Sequence, residues 1–233
     1  MKNKQLYLTI PFIVIELVIM ILVCFDITGK KIHSYVAIII CFLFSLISLS
    51  KNKKVIIIQI GLLFTVISDT FLVLLDAKNQ EAGMTTFVVV QLAYWIYLLL
   101  NIQEHNRIYE VGLRILVIAA VESLVVFVII DNYDYLCFIS IFYFANLIQN
   151  IVVAFIIYKK NPYLAIGLLL FALCDIIIGL RSADGYYIFL EENSLLEKMI
   201  HSRFDHAWFF YIPAQTLIAL SAKFEKEKGA EAP

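Results

Sequence analysis

Residues 55–75 read VIIIQIGLLFTVISDTFLVLL, and residues 161–181 read NPYLAIGLLLFALCDIIIGLR. Each run is long enough to cross a bilayer, for which about 20 apolar residues suffice, and each holds a single aspartate. Lipid offers no water to unpaired backbone groups, so only helices and closed barrels span it. Barrel strands are short and alternate in polarity, so continuous apolar runs such as these are helices. Working outward, further apolar runs place spans near 6–25, 33–50, 82–101, 112–130, 135–158 and 204–222. The expected fold is an all-α membrane protein, a bundle of about eight transmembrane helices forming one polytopic domain over residues 1–233. Connections are short except 182–203, which leaves no room for an extramembrane domain.

Composition excludes the other classes. Hydrophobic residues make up 62% of the 233 and charged ones 16%, whereas soluble domains have about 45–50% apolar residues. The mean hydropathy is +0.90. A water-soluble fold of this size cannot hide so much apolar surface. A net charge of −1 without a basic stretch speaks against disorder and nucleic-acid binding. Cys24, Cys41, Cys137 and Cys174 all fall inside apolar runs without CxxC spacing, so they are expected as small core residues rather than disulfides or zinc ligands. The N-terminal lysines and apolar run resemble a signal peptide. Glu16 interrupts that run and no small-residue cleavage motif follows it, which predicts an uncleaved first span. With the N-terminus inside, inner segments carry twelve Lys and Arg and outer segments six. This predicts a cell-membrane protein with both termini cytoplasmic.

The chain also repeats itself. Gly61-Leu62-Leu63 followed by Asp69 recurs as Gly167-Leu168-Leu169 followed by Asp175, an offset of 106 residues. The same offset carries Glu16 onto Glu122 and Lys53-Lys54 onto Lys159-Lys160. Rare intramembrane acids matched at one ungapped offset suggest a four-plus-four parallel repeat.

Ionisable groups within hydrocarbon cost several kcal/mol and usually serve a function. Four stand out: Glu16, Asp69, Glu122 and Asp175. Asp69 shares a helical stripe with Gly61, Thr65, Ser68 and Asp76, and Asp175 one with Gly167, Cys174 and Gly179. Each aspartate lies about six residues, roughly 9 Å, from the outer end of its helix, so both are expected at one depth. If the glycines let those two helices approach, the acids face each other across a cavity. Gly83, Phe87, Gln91, Tyr94 and Asn101 line one face of the fourth span. Tyr211 and Gln215 lie one turn apart on the eighth, after Asp205 and His206 at its outer mouth. Asn146, Gln149 and Asn150 read as interhelical glue. Glu16 and Glu122, near mid-span, read equally as functional acids or as structural ones paired with each other or with lysine. His201, Asp205 and His206 are expected in a solvated or interfacial role, and the tyrosines and phenylalanines mostly facing lipid. No GxSxG, Walker or HExxH pattern occurs, and neither a cofactor nor a metal is expected.

The stretches Gly61–Leu72 (GLLFTVISDTFL), Gly83–Tyr94 (GMTTFVVVQLAY), Gly167–Asp175 (GLLLFALCD) and Tyr211–Ser221 (YIPAQTLIALS) resemble the YhhN family of lysoplasmalogenases, eight-span membrane proteins. The pattern Ala214, Gln215, Ile218 and Ser221 in the last span adds to the likeness. The resemblance implies hydrolysis of the vinyl-ether bond of lysoplasmalogen to a fatty aldehyde and a glycerophospho-head group. The partner is then a membrane lysophospholipid. Asp69, Tyr94, Asp175, Tyr211 and Gln215 match the family pattern, whereas Gln91 stands where the family commonly has histidine. Glutamine cannot shuttle a proton, so either that histidine is dispensable or this chain has altered activity.

A vinyl ether opens when its β-carbon is protonated, and water then attacks the resulting oxocarbenium ion. That chemistry asks for one protonated acid and one ionised base close together in a dry site, and burial with mutual repulsion separates two carboxyl groups in this way. Asp69 and Asp175 are the expected catalytic pair, with Tyr94, Gln91, Tyr211 and Gln215 orienting water or the ether oxygen. The segment from Ser182 to Arg203 reads either as an interfacial amphipathic helix able to gate the site or as an ordinary surface loop. The rival reading is a non-catalytic lipid-binding or transport protein of the same fold, which midplane acids and parallel repeats would also suit.

Overall fold

The computed structural model describes residues 2–27, 29–48, 51–75, 79–128, 133–183 and 202–231. Among them run eight α-helices: α1 (Lys2–Cys24), α2 (Lys30–Ile47), α3 (Lys53–Asp69), α4 (Gln80–Leu99), α5 (Glu104–Val128), α6 (Tyr135–Ile156), α7 (Pro162–Ala183) and α8 (His206–Glu231). The starts of these helices have local causes. Gly29, with φ of 43°, turns the chain into α2. The Asn52 side chain accepts from the Lys54 N–H at 3.0 Å, and that of Asp134 from the Cys137 N–H at 2.8 Å. Pro162 opens α7, where its missing N–H removes no helical bond.

Packing is heaviest between α3 and α4 and between α7 and α8, with α4 on α6 next. The α1–α2 and α5–α6 hairpins pack to similar extents. The correspondence stops at the edges: α1 packs on α8 as well as on α2, while α5 packs chiefly on α6. Glycines set the closest approaches. A Cβ at Gly61 would lie 2.3 Å from Cε1 of Tyr94 on α4, and one at Gly167 would lie 3.1 Å from the Ala214 carbonyl oxygen on α8. The glycines therefore draw α3 onto α4 and α7 onto α8. The expectation that they bring α3 and α7 together is corrected accordingly.

Among the described residues six helices are long and apolar enough to cross a membrane: Tyr7–Cys24, Lys30–Ile47, Lys53–Leu74, Gln80–Leu99, Tyr135–Ile156 and Pro162–Ser182. The other two of the expected eight do not reach that measure, and both outrun their apolar runs. The span expected at 112–130 begins at Glu104, because Arg107 holds the polar extension by donating to the Leu99 carbonyl at 2.9 Å. The span expected at 204–222 continues to Glu231. α8 lies among α1, α2, α3 and α7, so protein rather than lipid surrounds much of it. Buried Gln215, Thr216, Ser221 and Glu225 are accommodated there. The bundle is an all-α multi-pass membrane fold.

Polar contacts fasten the two ends differently. At one end Glu225 accepts from the Tyr97 hydroxyl at 2.8 Å and lies 3.8 Å from Lys54 Nζ, which donates to Asn101 at 2.7 Å. The opposite end, called the mouth end below, brings together the end of α1, the starts of α2 and α8, and the ends of α3 and α7. A buried guanidinium staples α5 to the bundle. Arg114 is 2% exposed, lies 2.8 Å from Glu110, donates to Asn146 at 3.1 Å and stacks 4.8 Å from the Trp95 ring centre.

Candidate functional site

Asp69 is the last residue of α3. Immediately after it the chain forms one wide π-type turn, Thr70–Leu74, in which the Leu75 N–H reaches the Thr70 carbonyl at 3.0 Å. Such turns insert a residue into the helical ladder and recur at functional sites. Thr70 is fixed on both sides, donating to the Val66 carbonyl at 2.8 Å and meeting the Tyr35 hydroxyl at 2.9 Å. The Asp69 side chain turns into the bundle, 3% exposed, and Oδ2 accepts from the Tyr211 hydroxyl at 2.7 Å. Asp175 on α7 is half-buried, and its Oδ2 accepts from the Tyr143 hydroxyl of α6.

The two acid–tyrosine pairs belong to one site. Asp69 lies within the electrostatic reach of Asp175, and the Tyr211 hydroxyl within that of Tyr143. A run of aromatic rings joins them: Tyr143 to Phe87 at 5.6 Å, Phe87 to Phe171 at 5.7 Å and Phe171 to Tyr211 at 5.3 Å between centroids. Trp208 closes on Tyr211 at 5.2 Å. Two acid–tyrosine pairs thus lie near the mouth end on either side of a run of packed aromatic rings, in surroundings where electrostatic interactions gain strength.

The remaining expected residues divide into layers. Gln91 is fully buried; its Oε1 accepts from Asn150 Nδ2 at 3.0 Å, and its amide faces the Tyr143 hydroxyl. Its Nε2 has no hydrogen-bond partner among the described residues. Gln215 lies one turn along α8 from Tyr211, fully buried, with no hydrogen-bond partner for either amide atom among the described residues. Tyr94 is not beside the aspartates. Its ring is wedged against Gly61, eight residues before Asp69, about 12 Å along the helix axis. Its hydroxyl points toward Thr65 and Cys41.

Glu16 and Glu122 pair neither with each other nor with lysine among the described residues, because α1 and α5 lie on different neighbours. Glu122 accepts from the Tyr133 hydroxyl at 2.6 Å. Glu16, 2% exposed, faces the Cys41 thiol, which sits 4.0 Å from Thr216 Oγ1. The asparagines glue helices as expected, Asn150 to Gln91 and Asn146 to Arg114. Among the described residues Gln149 bonds within its own helix, to the Ala145 carbonyl. Cys24, Cys41 and Cys174 are buried, and Cys137 half-buried. Asp76, His201 and most of the 182–203 segment lie outside the described residues, as do the gating and surface-loop readings of that segment. Asp205 proves more than a solvated group: it caps α8 and pairs with Lys30 and Arg181.

Sequence alone leaves Tyr143 unmarked, because a tyrosine in an apolar run reads as lipid-facing. Its signal is the stripe Ile139, Tyr143, Asn146 and Asn150, all buried and spaced at helical intervals. A tyrosine in register with buried amides faces protein.

A family model described as the YhhN family matches residues 28–222, most of the chain. No curated protein and no solved structure matches it.

Proposed function

From the chain's membership of the YhhN family, we propose that it is a lysoplasmalogenase-like hydrolase that opens the vinyl-ether bond of a lysophospholipid through Asp69 and Asp175. The observation that carries this reading is the pair of carboxyl groups each accepting from its own tyrosine hydroxyl, with the two tyrosines joined through Phe87 and Phe171. Two acids so placed divide between a protonated and an ionised form.

The chemistry then runs as a proton exchange between the pair. The protonated carboxyl gives its proton to the β-carbon of the C=C–O unit, leaving an oxocarbenium ion at the carbon bonded to oxygen. The ionised carboxylate takes a proton from water as the water oxygen bonds to that carbon, giving a hemiacetal. When the hemiacetal collapses, the second acid returns its proton to the departing glycerol oxygen. The first carboxylate receives the proton of the hemiacetal hydroxyl. The C–O bond breaks, a fatty aldehyde and a glycerol hydroxyl are released, and both acids regain their starting states. Tyr143 and Tyr211 orient the carboxyl groups, and neither proton exchange needs a titratable histidine at position 91. The excess of lysine and arginine on one side supports cytoplasmic termini, and with that orientation the mouth end faces outward.

The mechanism has a specific isotopic signature. Purified protein turning over a vinyl-ether lysophospholipid in D₂O is expected to release an aldehyde of unshortened chain with one deuterium on the carbon next to the carbonyl, trapped at once as a hydrazone and read by mass spectrometry. A chain-shortened aldehyde, or an unshortened one without deuterium, would contradict protonation at carbon.

A further inference from the structure

Glu16 stands apart from the acid pair. It lies near the middle of the span Tyr7–Cys24 on α1 and is 2% exposed, and neither carboxyl oxygen has a hydrogen-bond partner among the described residues. It faces the Cys41 thiol, which is a weak donor. A carboxyl group left without a partner in an apolar span is costly and marks a binding role by default.

Beside Glu16, α1 and α8 part to leave a groove of about 220 Å³. Glu16, Ile212 and Thr216 are its buried members, while Leu17, Met20 and Leu217 are more exposed and form a rim toward the bilayer. A cavity of about 150 Å³ in an engineered core already admits benzene, so this one holds a stretch of hydrocarbon. At about 100° per residue, Pro213, Thr216, Leu217 and Leu220 stand roughly opposite Tyr211 on α8. The groove is therefore separate from the site of Asp69 and Asp175.

Its polar groups are acceptors. Thr216 directs its proton to the Ile212 carbonyl at 2.8 Å, which leaves only its lone pairs. Pro213, also in the wall, brings no N–H to the Phe209 carbonyl one turn before it. Glu16 adds two carboxyl oxygens. No lysine, arginine or histidine lines the groove among the described residues. The complement of acceptors and a carboxylate in an apolar wall is a hydrocarbon chain that ends in a donor-rich cation. An ammonium group carries three N–H donors and no acceptor, and its bonds to a carboxylate are charge-assisted.

We propose that the α1–α8 groove binds a single-chain lipid amine from the bilayer, with its ammonium on Glu16 and its chain along the rim of Leu17, Met20 and Leu217. This is a second site, which goes beyond the hydrolase reading and does not depend on it.

Photoaffinity labelling tests the assignment. Dodecylamine with a diazirine on its chain, irradiated with the full-length protein in neutral maltoside micelles, is expected to label α1 and α8 around Leu17, Met20 and Leu217. Unlabelled dodecylamine should displace it about tenfold more effectively than dodecanol, which shares the chain but lacks the charge. Glu16→Gln keeps the side-chain size and should cut labelling about tenfold, while Glu16→Asp, which keeps the charge, should retain part of it. Leu217→Trp leaves the carboxyl in place and fills the groove, so it too should abolish labelling. Unchanged helical circular dichroism certifies the fold of each variant. Label spread evenly over the lipid-facing helices, equal displacement by dodecanol, or undiminished labelling of folded Glu16→Gln or Leu217→Trp would overturn the proposal. No turnover is involved, so the outcome is read independently of aldehyde release.

Discussion

The wedge of Tyr94 against Gly61 separates structural from chemical roles in the α3–α4 pair. A methyl group at residue 61 would sit 2.3 Å from Tyr94 Cε1 and 2.8 Å from Cζ. The ring is fully buried, so the clash is relieved only by moving α4 or forcing the ring off its rotamer. Overpacking of this kind costs about 1–3 kcal/mol. Against it stands the gain of roughly 1 kcal/mol that alanine brings over glycine inside a helix, which leaves Gly61→Ala destabilised by up to about 2 kcal/mol. Gly112→Ala and Gly179→Ala supply the control, since a Cβ at either position meets nothing within 4 Å, and both should be neutral or slightly stabilising. The assay is reversible denaturant unfolding in maltoside micelles followed by tryptophan fluorescence. In a Tyr94→Leu background, the cost of Gly61→Ala should largely vanish, because the partner atoms are gone. A Gly61→Ala protein as stable as the Gly112→Ala and Gly179→Ala controls, or an undiminished cost after Tyr94→Leu, would refute the packing argument.

Tyr143→Phe and Tyr211→Phe, each removing one hydroxyl bonded to an aspartate, should lower aldehyde release by about ten- to a hundredfold. Tyr94→Phe, remote from the pair, should leave release nearly unchanged in the same assay. Arg114→Met strands Glu110 in the bundle without its cation and should cost about 3–5 kcal/mol in denaturant unfolding; adding Glu110→Gln should recover most of that loss. Single cysteines introduced at residue 3 and residue 232 on a cysteine-free background should react with an impermeant maleimide only after cells are permeabilised, and labelling of intact cells would reverse the orientation.

Much of the fold was legible because a bilayer imposes one pattern on every span, and Asp69 and Asp175 stood out as acids in apolar helices. The lengths of α5 and α8 were not legible. Hydropathy reports what faces lipid, and the polar ends of these helices are held by protein groups: Arg107 by the Leu99 carbonyl, Glu225 by Tyr97. The π-type turn after Asp69 leaves no trace in composition, since it changes hydrogen-bond reach rather than polarity. Tyr143 was hidden for a related reason. A tyrosine in an apolar helix reads alike whether it meets lipid or a carboxyl group, and only its register with Asn146 and Asn150 separates the two. Tyr94 shows the opposite error. It shares a helix face with Gln91 three residues away, yet the Gly61 notch draws it inward to a different layer.

The central claim is that Asp69 and Asp175 together perform the chemistry, and one measurement tests it most directly: the rate of fatty-aldehyde release from a vinyl-ether lysophospholipid by purified wild type beside Asp69→Asn and Asp175→Asn. Removing either member of an acid–base pair should reduce the rate by about a hundredfold or more, with folding checked by unchanged helical circular dichroism. Wild-type rates in both folded variants would contradict the account.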